Sequence, residues 1–232
     1  MKTDDPKITK MQAKVTAAQQ EFDLAVAFHE VWKPTAYDQD LHGRLGVSYA
    51  TQAFRVIRTA LRRELILALI RLWDNDGRAI GMECIGKALG KKEVINALAL
   101  ARVDQSSEVF EAIRADLSEK ADKAISLVDK YVKDDGAGNA VYKKLRSLRN
   151  ERLAHRQVKT KVRATGATAT DEDIEEFYQD NSKLIHILLD IFNAMAYDPE
   201  DTARVFGFYA SHFWGRLQMT EVNHESKTRA KL

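Results

Sequence analysis

The chain has 232 residues, of which 45% are hydrophobic and 30% are charged, and its formal net charge is +2. This length and composition suit one domain with a sizeable core, and only three prolines and eleven glycines argue against long loop-rich stretches. The near balance of charges excludes a histone-like polycation, so a nucleic-acid surface would have to be a local patch.

Apolar residues recur at helical spacing from the start of the chain. A first helix is predicted over 10–32, with Pro34 as its end, because proline lacks the N–H group that a helix interior needs. After a looser stretch around Gly43 and Gly46, a strong helix over 52–73 carries two apolar faces and is expected at the centre of the core. Two shorter helices are predicted over 80–89 and 91–101.

The second half of the chain continues this pattern. Two further helices are predicted over 106–133 and 139–156, and a loop or short hairpin over 159–170. Two more helices follow, each of which begins at a recognisable cap. Thr170 and Asp173 can form a capping box, and Asp198 followed by Pro199 marks the start of the last helix.

The last helix is rich in large apolar side chains. It carries a stripe of Val205, Tyr209, Phe213 and Leu217 at helical spacing. Its aromatic residues are expected to make core or dimer contacts: Phe206, Phe208, Tyr209, Phe213 and Trp214. Together these helices predict an all-α fold, an up-and-down bundle with extra helices, in a single domain over 1–220. Residues 221–232 are polar and basic, and we expect a disordered tail there.

The cellular compartment is inferred from three features. The single cysteine, Cys84, excludes an internal disulfide and favours a reducing environment. The N-terminus is polar and acidic, unlike a signal peptide, and the longest apolar run, 65–70, is too short to span a membrane. We therefore expect a cytoplasmic protein without a membrane partner.

Positive charge is concentrated in one segment. Between residues 143 and 163 there are nine basic residues and one acid, Glu151, in a chain whose overall charge is only +2. Most charge runs are solvated helix faces, but this excess is one-sided and contains a histidine. A surface of this kind attracts phosphate backbones.

A short motif lies inside that segment. Arg149 and Asn150 are followed by His155, with five residues between the arginine and the histidine. This resembles the arginine-to-histidine signature of the HEPN superfamily, all-helical domains that include many metal-independent ribonucleases. Two segments resemble the abortive-infection AbiU-type branch of this superfamily. They are Leu-Arg-Asn-Glu-Arg-Leu-Ala-His-Arg, which contains the motif, and Ile-Arg-Leu-Trp-Asp, which ends at Asp74.

The resemblance implies a HEPN-like bundle and a specific chemistry. The 2′-hydroxyl of RNA can attack the adjacent phosphorus, which requires proton transfer and stabilisation of negative charge but no metal and no cofactor. His155 can act as acid or base near neutrality, and Arg149 can bind phosphate oxygens. The other histidines lack the spacing of metal ligands.

Six residues along an ideal helix separate Arg149 and His155 by about 120°. HEPN nucleases of this type form composite sites across a two-fold axis, so the resemblance implies a homodimer with the 139–156 helices at its interface. Asn150 would orient a neighbour or contact phosphate, and Asp74 is a candidate for orienting the site, with a helix-end cap as its alternative role. The residues expected to bind the RNA backbone are Arg146, Arg152, Arg156 and Lys159.

Three alternatives stay open from the sequence. Arg149 and His155 could be an ordinary exposed arginine and a helix-end histidine. The fold could be a non-catalytic module that binds RNA, nucleotide or a protein, in which case His155→Ala would be tolerated. The basic patch could instead meet an acidic antitoxin, and RNA would then bind weakly. The resemblance favours an RNA-cleaving toxin or phage-defence effector.

Overall fold

The computed structural model describes residues 5–46, 49–74, 76, 79–149 and 169–217. Over these residues the chain forms α-helices joined by turns, with no β-strand, which confirms the all-α prediction. The helices are α1 (Pro6–Tyr37), α2 (Gln39–Leu45), α3 (Tyr49–Arg71), α4 (Met82–Leu89), α5 (Lys92–Leu100), α6 (Phe110–Val132), α7 (Asn139–Leu148), α8 (Asp171–Asn193) and α9 (Pro199–Gly215). None of these helices is both long and apolar enough to cross a membrane.

Helix α1 is the longest element and continues past its proline. The prediction that Pro34 ends this helix is wrong, because the helix runs on to Tyr37. The Thr35 hydroxyl donates to the carbonyl of Trp32 at 2.6 Å, and the His42 ring bonds the carbonyl of Thr35 at 2.7 Å. These two bonds tie the last turn of α1 to itself and to α2. The predicted looser stretch is also mostly helical, as α2.

One continuous core joins most of the bundle. Helix α1 packs against α3, α8 and α9, and α6 packs against α4, α5, α7 and α8. In the C-terminal half of α3 both apolar faces are buried as predicted, with Leu65 and Leu69 on one and Ile66 and Ile70 on the other. At the start of the first stripe, Ile57 is exposed. A smaller cluster lies beside α2 and contains Leu41, Leu45, Phe54, Ala210 and Trp214.

Helix α9 buries only part of the apolar surface that its pattern predicts for contacts. Its N-terminus is as expected, since Asp198 accepts the N–H of Glu200 at 2.9 Å. Trp214 is in the core as expected, beside Ala210, and its indole N–H donates to the carbonyl of Val31 on α1. The stripe is exposed, with 48% of Val205, 58% of Tyr209 and 54% of Phe213 accessible.

The remaining boundaries follow local capping chemistry. Thr170 and Asp173 form the predicted capping box of α8. Helix α6 begins at Phe110, later than predicted, because residues 106–109 form turns. Its C-terminal connection contains Gly138, where a side chain would come within 2.4 Å of the Tyr131 ring, so only glycine lets α7 approach α6 this closely.

Helix α7 is described to Leu148, followed by Arg149. The predicted continuation to residue 156, most of the loop over 159–170, and the tail over 221–232 lie outside the described residues.

Candidate functional site

The arginine of the motif is held by an acid from a distant part of the chain. Arg149 follows α7 with helical backbone angles (φ −58°, ψ −50°), and its Nη2 donates to Oδ2 of Asp74 at 2.7 Å. Asp74 follows the end of α3, 75 residues earlier. Arg149 and Asp74, two candidate site residues that are distant in the sequence, are therefore in direct contact.

The position of Asp74 is fixed by its buried neighbour Trp73. The chain leaves α3 in a tight turn, in which Trp73 N–H bonds the carbonyl of Ile70 at 3.0 Å. The Trp73 ring packs among Tyr131, Tyr142 and Phe177, and its indole N–H donates to Asn181 Oδ1 at 2.8 Å. A large aromatic ring with a satisfied N–H leaves the following residue little freedom.

The same aromatic group sets the position of α7. Tyr142 is buried against Trp73, and its hydroxyl lies 3.5 Å from the Trp73 carbonyl. At the start of α7, the Asn139 amide donates to the carbonyl of Tyr131 at 2.9 Å. Helix α7 is thereby held in one register against α6 and the end of α3, which brings Arg149 to Asp74.

Four charged side chains influence the pKa of the Tyr142 hydroxyl. Burial raises the pKa of Tyr142; Glu83 and Asp74 raise it further, while Arg146 and Arg149 lower it. Arg146, predicted to bind RNA, is exposed and lies three residues before Arg149, which places both arginines on one side of the helix. Glu83 lies on α4 and also pairs with Lys87.

The Arg149–Asp74 pair is accessible to a ligand. The side chain of Arg149 is 28% exposed and that of Asp74 is 33% exposed. Guanidinium carries five N–H donors, and within the described chain Arg149 uses one of them, on Asp74. The arrangement can therefore present a positioned, charged donor group to a phosphate.

Five predicted site residues lie outside the described residues: His155, Asn150, Arg152, Arg156 and Lys159. Sequence reasoning missed Tyr142 and Glu83, whose importance depends on contacts between helices. Among the described residues, no three His, Cys, Asp or Glu side chains group as metal ligands.

The all-helical fold agrees with the family evidence. The helical bundle, in a chain that carries the Arg149–His155 motif in its sequence, is of the HEPN class. Within that class, the sequence model of the HEPN_AbiU2 family, described as AbiU2, matches residues 8–213. The chain therefore belongs to this abortive-infection-related family of HEPN proteins. No curated protein and no solved structure matches the chain.

Proposed function

We propose that this protein is a metal-independent endoribonuclease that acts in abortive infection as an RNA-cleaving toxin or defence effector. Arg149 binds the scissile phosphate and stabilises the charge that develops on it. His155 transfers the proton. The observation that carries the proposal is the Arg149–Asp74 pair, in which a partly exposed arginine directly after the described part of α7 is held in place by a carboxylate.

The proposed reaction needs no co-reactant. A base removes the proton of the ribose 2′-hydroxyl, and the oxygen attacks the adjacent phosphorus. The bond from phosphorus to the 5′-oxygen breaks, and an acid protonates the leaving oxygen. The products are a 2′,3′-cyclic phosphate and a 5′-hydroxyl end. A positioned charge donor typically contributes about a hundred- to a thousand-fold in rate, and proton transfer a similar factor.

We propose that Asp74 orients the Arg149 guanidinium, which binds the phosphate with its remaining donors. The bond to Asp74 limits the rotamers of a long side chain, so less conformational entropy is lost when phosphate binds. The remaining donors of the guanidinium then meet the phosphate oxygens. In a homodimer, a second arginine and a second histidine would enter the same cleft, which supplies both an acid and a base.

A second candidate function follows from the same ion pair. Asp74 already neutralises Arg149 in the free protein, and an arginine that is fully matched by an acid can serve structure alone. In that case the domain binds RNA, nucleotide or a protein partner such as an antitoxin, without cutting RNA. The two functions differ in whether His155 is needed.

The test is RNA cleavage by the purified protein in EDTA, with end-group analysis of the products. Wild type, Arg149→Ala and His155→Ala are compared, and each variant is first checked for native helicity and thermal unfolding. We expect cyclic phosphate ends from the wild type and a loss of about a hundredfold or more in both variants. Intact RNA with salt-sensitive binding, unchanged in His155→Ala, would establish the binding module instead.

A further inference from the structure

A cavity of about 940 Å³ opens beside the Arg149–Asp74 pair. It lies between the first three turns of α1, the segment that follows α3, and helices α4 and α5. Asp74 lines it, and so does Glu83, so the wall nearest Arg149 is shared by the cavity and the candidate site. Its size lies in the range of ligand pockets, about 300–1,000 Å³.

Lysines lie on both sides of this cavity. Lys7, Lys10 and Lys14 lie on one face of α1, because they are spaced by three and four residues. Lys14 closes one end by donating to the carbonyls of Ala79 and Ile80, the latter at 3.1 Å. Lys7, Lys10 and, on the opposite wall, Lys91 are exposed and form no ion pair with a described residue.

The floor between the lysines is apolar. Ile8 is buried, and Met11 and Val94 are half-buried, and all three line the cavity. Carboxylates line the cavity as well as lysines, for example Asp76 and Glu93. An apolar floor accepts the face of a nucleobase, carboxylates accept its amino groups, and lysines accept the flanking phosphates.

We infer that this cavity binds the segment of single-stranded RNA that continues from the phosphate at Arg149. The inference rests on the proposed function for the position of the scissile phosphate, but its own evidence is the cavity and its lining. A duplex keeps its base faces stacked and would leave the apolar floor uncovered. An acidic peptide carries anionic groups but no flat base faces, so it too would leave the apolar residues Ile8, Met11 and Val94 uncovered.

The chain contains its own probe for this inference. Cys84 is the only cysteine of the sequence, is exposed and lines the cavity. The rate at which N-ethylmaleimide alkylates Cys84 therefore reports access to the cavity. Using His155→Ala protein, which keeps Arg149 and lacks the proposed proton-transfer group, we expect a saturating short single-stranded RNA to slow alkylation about tenfold, since thiol reactions depend on access. A duplex of equal length and polyglutamate should slow it little.

Two adjacent lysines provide a matched pair of variants. Lys91 lines the cavity, whereas its exposed neighbour Lys92 is not among the described residues that line it. Each charge reversal changes the net charge equally. We expect Lys91→Glu to weaken RNA binding about fivefold to tenfold, and to lower the slope of log K against log salt by about 0.7, the loss of one phosphate contact. Lys92→Glu should leave both quantities near those of the parent protein.

The outcomes separate this inference from the proposed function. Unchanged alkylation at RNA saturation, equal effects of the two lysine variants, or equal protection by polyglutamate would overturn the cavity as an RNA site. Cleavage by the wild type without protection of Cys84 would retain the nuclease and reject the cavity. Protection that depends on Lys91, from a wild type that cuts no RNA, would retain the cavity and reject the nuclease.

Discussion

Two charged groups in this bundle differ in how completely the protein encloses them. His29 on α1 is 1% exposed, and its two ring nitrogens lie 2.8 Å from Glu30 and 2.7 Å from Glu175. Because both partners are carboxylates, the ring carries a proton on each nitrogen and is charged. Tyr178 stacks on the ring at a centroid distance of 3.8 Å. At the other site, Arg149 and Asp74 are each about one-third exposed.

The difference separates two uses of an ion pair. A buried imidazolium whose two N–H groups are both bonded has no donor left for a ligand. Removing the imidazolium leaves its carboxylate partners charged and without compensation in the protein interior. A partly exposed guanidinium that makes one bond can bind a second anion, and its ion pair contributes little to folding. We therefore expect substitutions at His29 to affect stability and substitutions at the Arg149 corner to affect activity.

The largest effect on stability is expected from His29→Ala. It creates a cavity beside Tyr178 and leaves Glu30 and Glu175 without their shared cation. We expect the free energy of unfolding to fall by about 3 kcal/mol, the lower end for a broken buried pair because the carboxylates are partly solvated. Urea unfolding measures it, and RNA cleavage per folded molecule should be unchanged. A fall below 1 kcal/mol would contradict this account of His29.

The next effect is expected from Asp74→Asn, which keeps the size of the side chain and one acceptor but removes its charge. Arg149 then samples more rotamers, so the turnover number should fall about tenfold while RNA binds as well as before or more tightly. Asp74→Glu, which restores the charge, should recover part of the rate. Steady-state kinetics of RNA cleavage measure the turnover number and the KM of both variants. A rise in KM with unchanged turnover would mean that Asp74 contacts the substrate.

The contribution of His29 should also depend on pH. Burial, the strongest influence, lowers the pKa of His29, but the hydrogen bonds and charges of Glu175 and Glu30 outweigh it, and the pKa is raised above 6.5. The hydrogen bond from His29 is the main reason that the pKa of Glu175 falls to about 2. The pair is therefore stabilising between about pH 4.5 and 6.5. Its contribution is lost as pH rises through the raised pKa of His29, and as pH falls towards 2.

This dependence is measured as the difference in unfolding free energy between wild type and His29→Gln across pH. The difference should be largest in that window and should narrow on both sides of it. His212→Gln, on the exposed face of α9, is the matched control and should leave the pH profile unchanged. A difference that is constant from pH 4 to 9 would mean that His29 does not carry the charge.

Much of the fold follows from local chemistry, and the errors have a common cause. The capping box at Thr170 and the start of α9 at Asp198 were predictable because each needs only a few adjacent residues. The buried face of α9 was not. Its stripe at Val205, Tyr209 and Phe213 and its stripe at Ala210 and Trp214 are both apolar, and periodicity alone cannot choose between them.

The candidate site also contains parts that local sequence predicts and parts that it does not. The motif identifies Arg149 because its residues are close in sequence. The sequence also indicates Asp74 as a candidate, but its bond to Arg149 joins residues 75 positions apart and depends on the packing of Trp73 and Tyr142. The lysine-lined cavity draws residues from α1, α4 and α5, whose proximity only tertiary structure creates. Contacts of this kind leave no local pattern to detect.

The smallest expected effect on stability, that of Arg149→Ala, distinguishes Arg149 from His29 most directly. Arg149→Ala should lower the free energy of unfolding by less than about 1 kcal/mol, because partly exposed ion pairs are solvated and screened. The loss should shrink further when salt is added, whereas the loss in His29→Ala should persist. Urea unfolding at low and high salt compares them. A cost near 3 kcal/mol at Arg149 would place it with His29 as a structural charge. A cost near zero, in a variant that no longer cuts RNA, means that the arginine serves the substrate and not the fold.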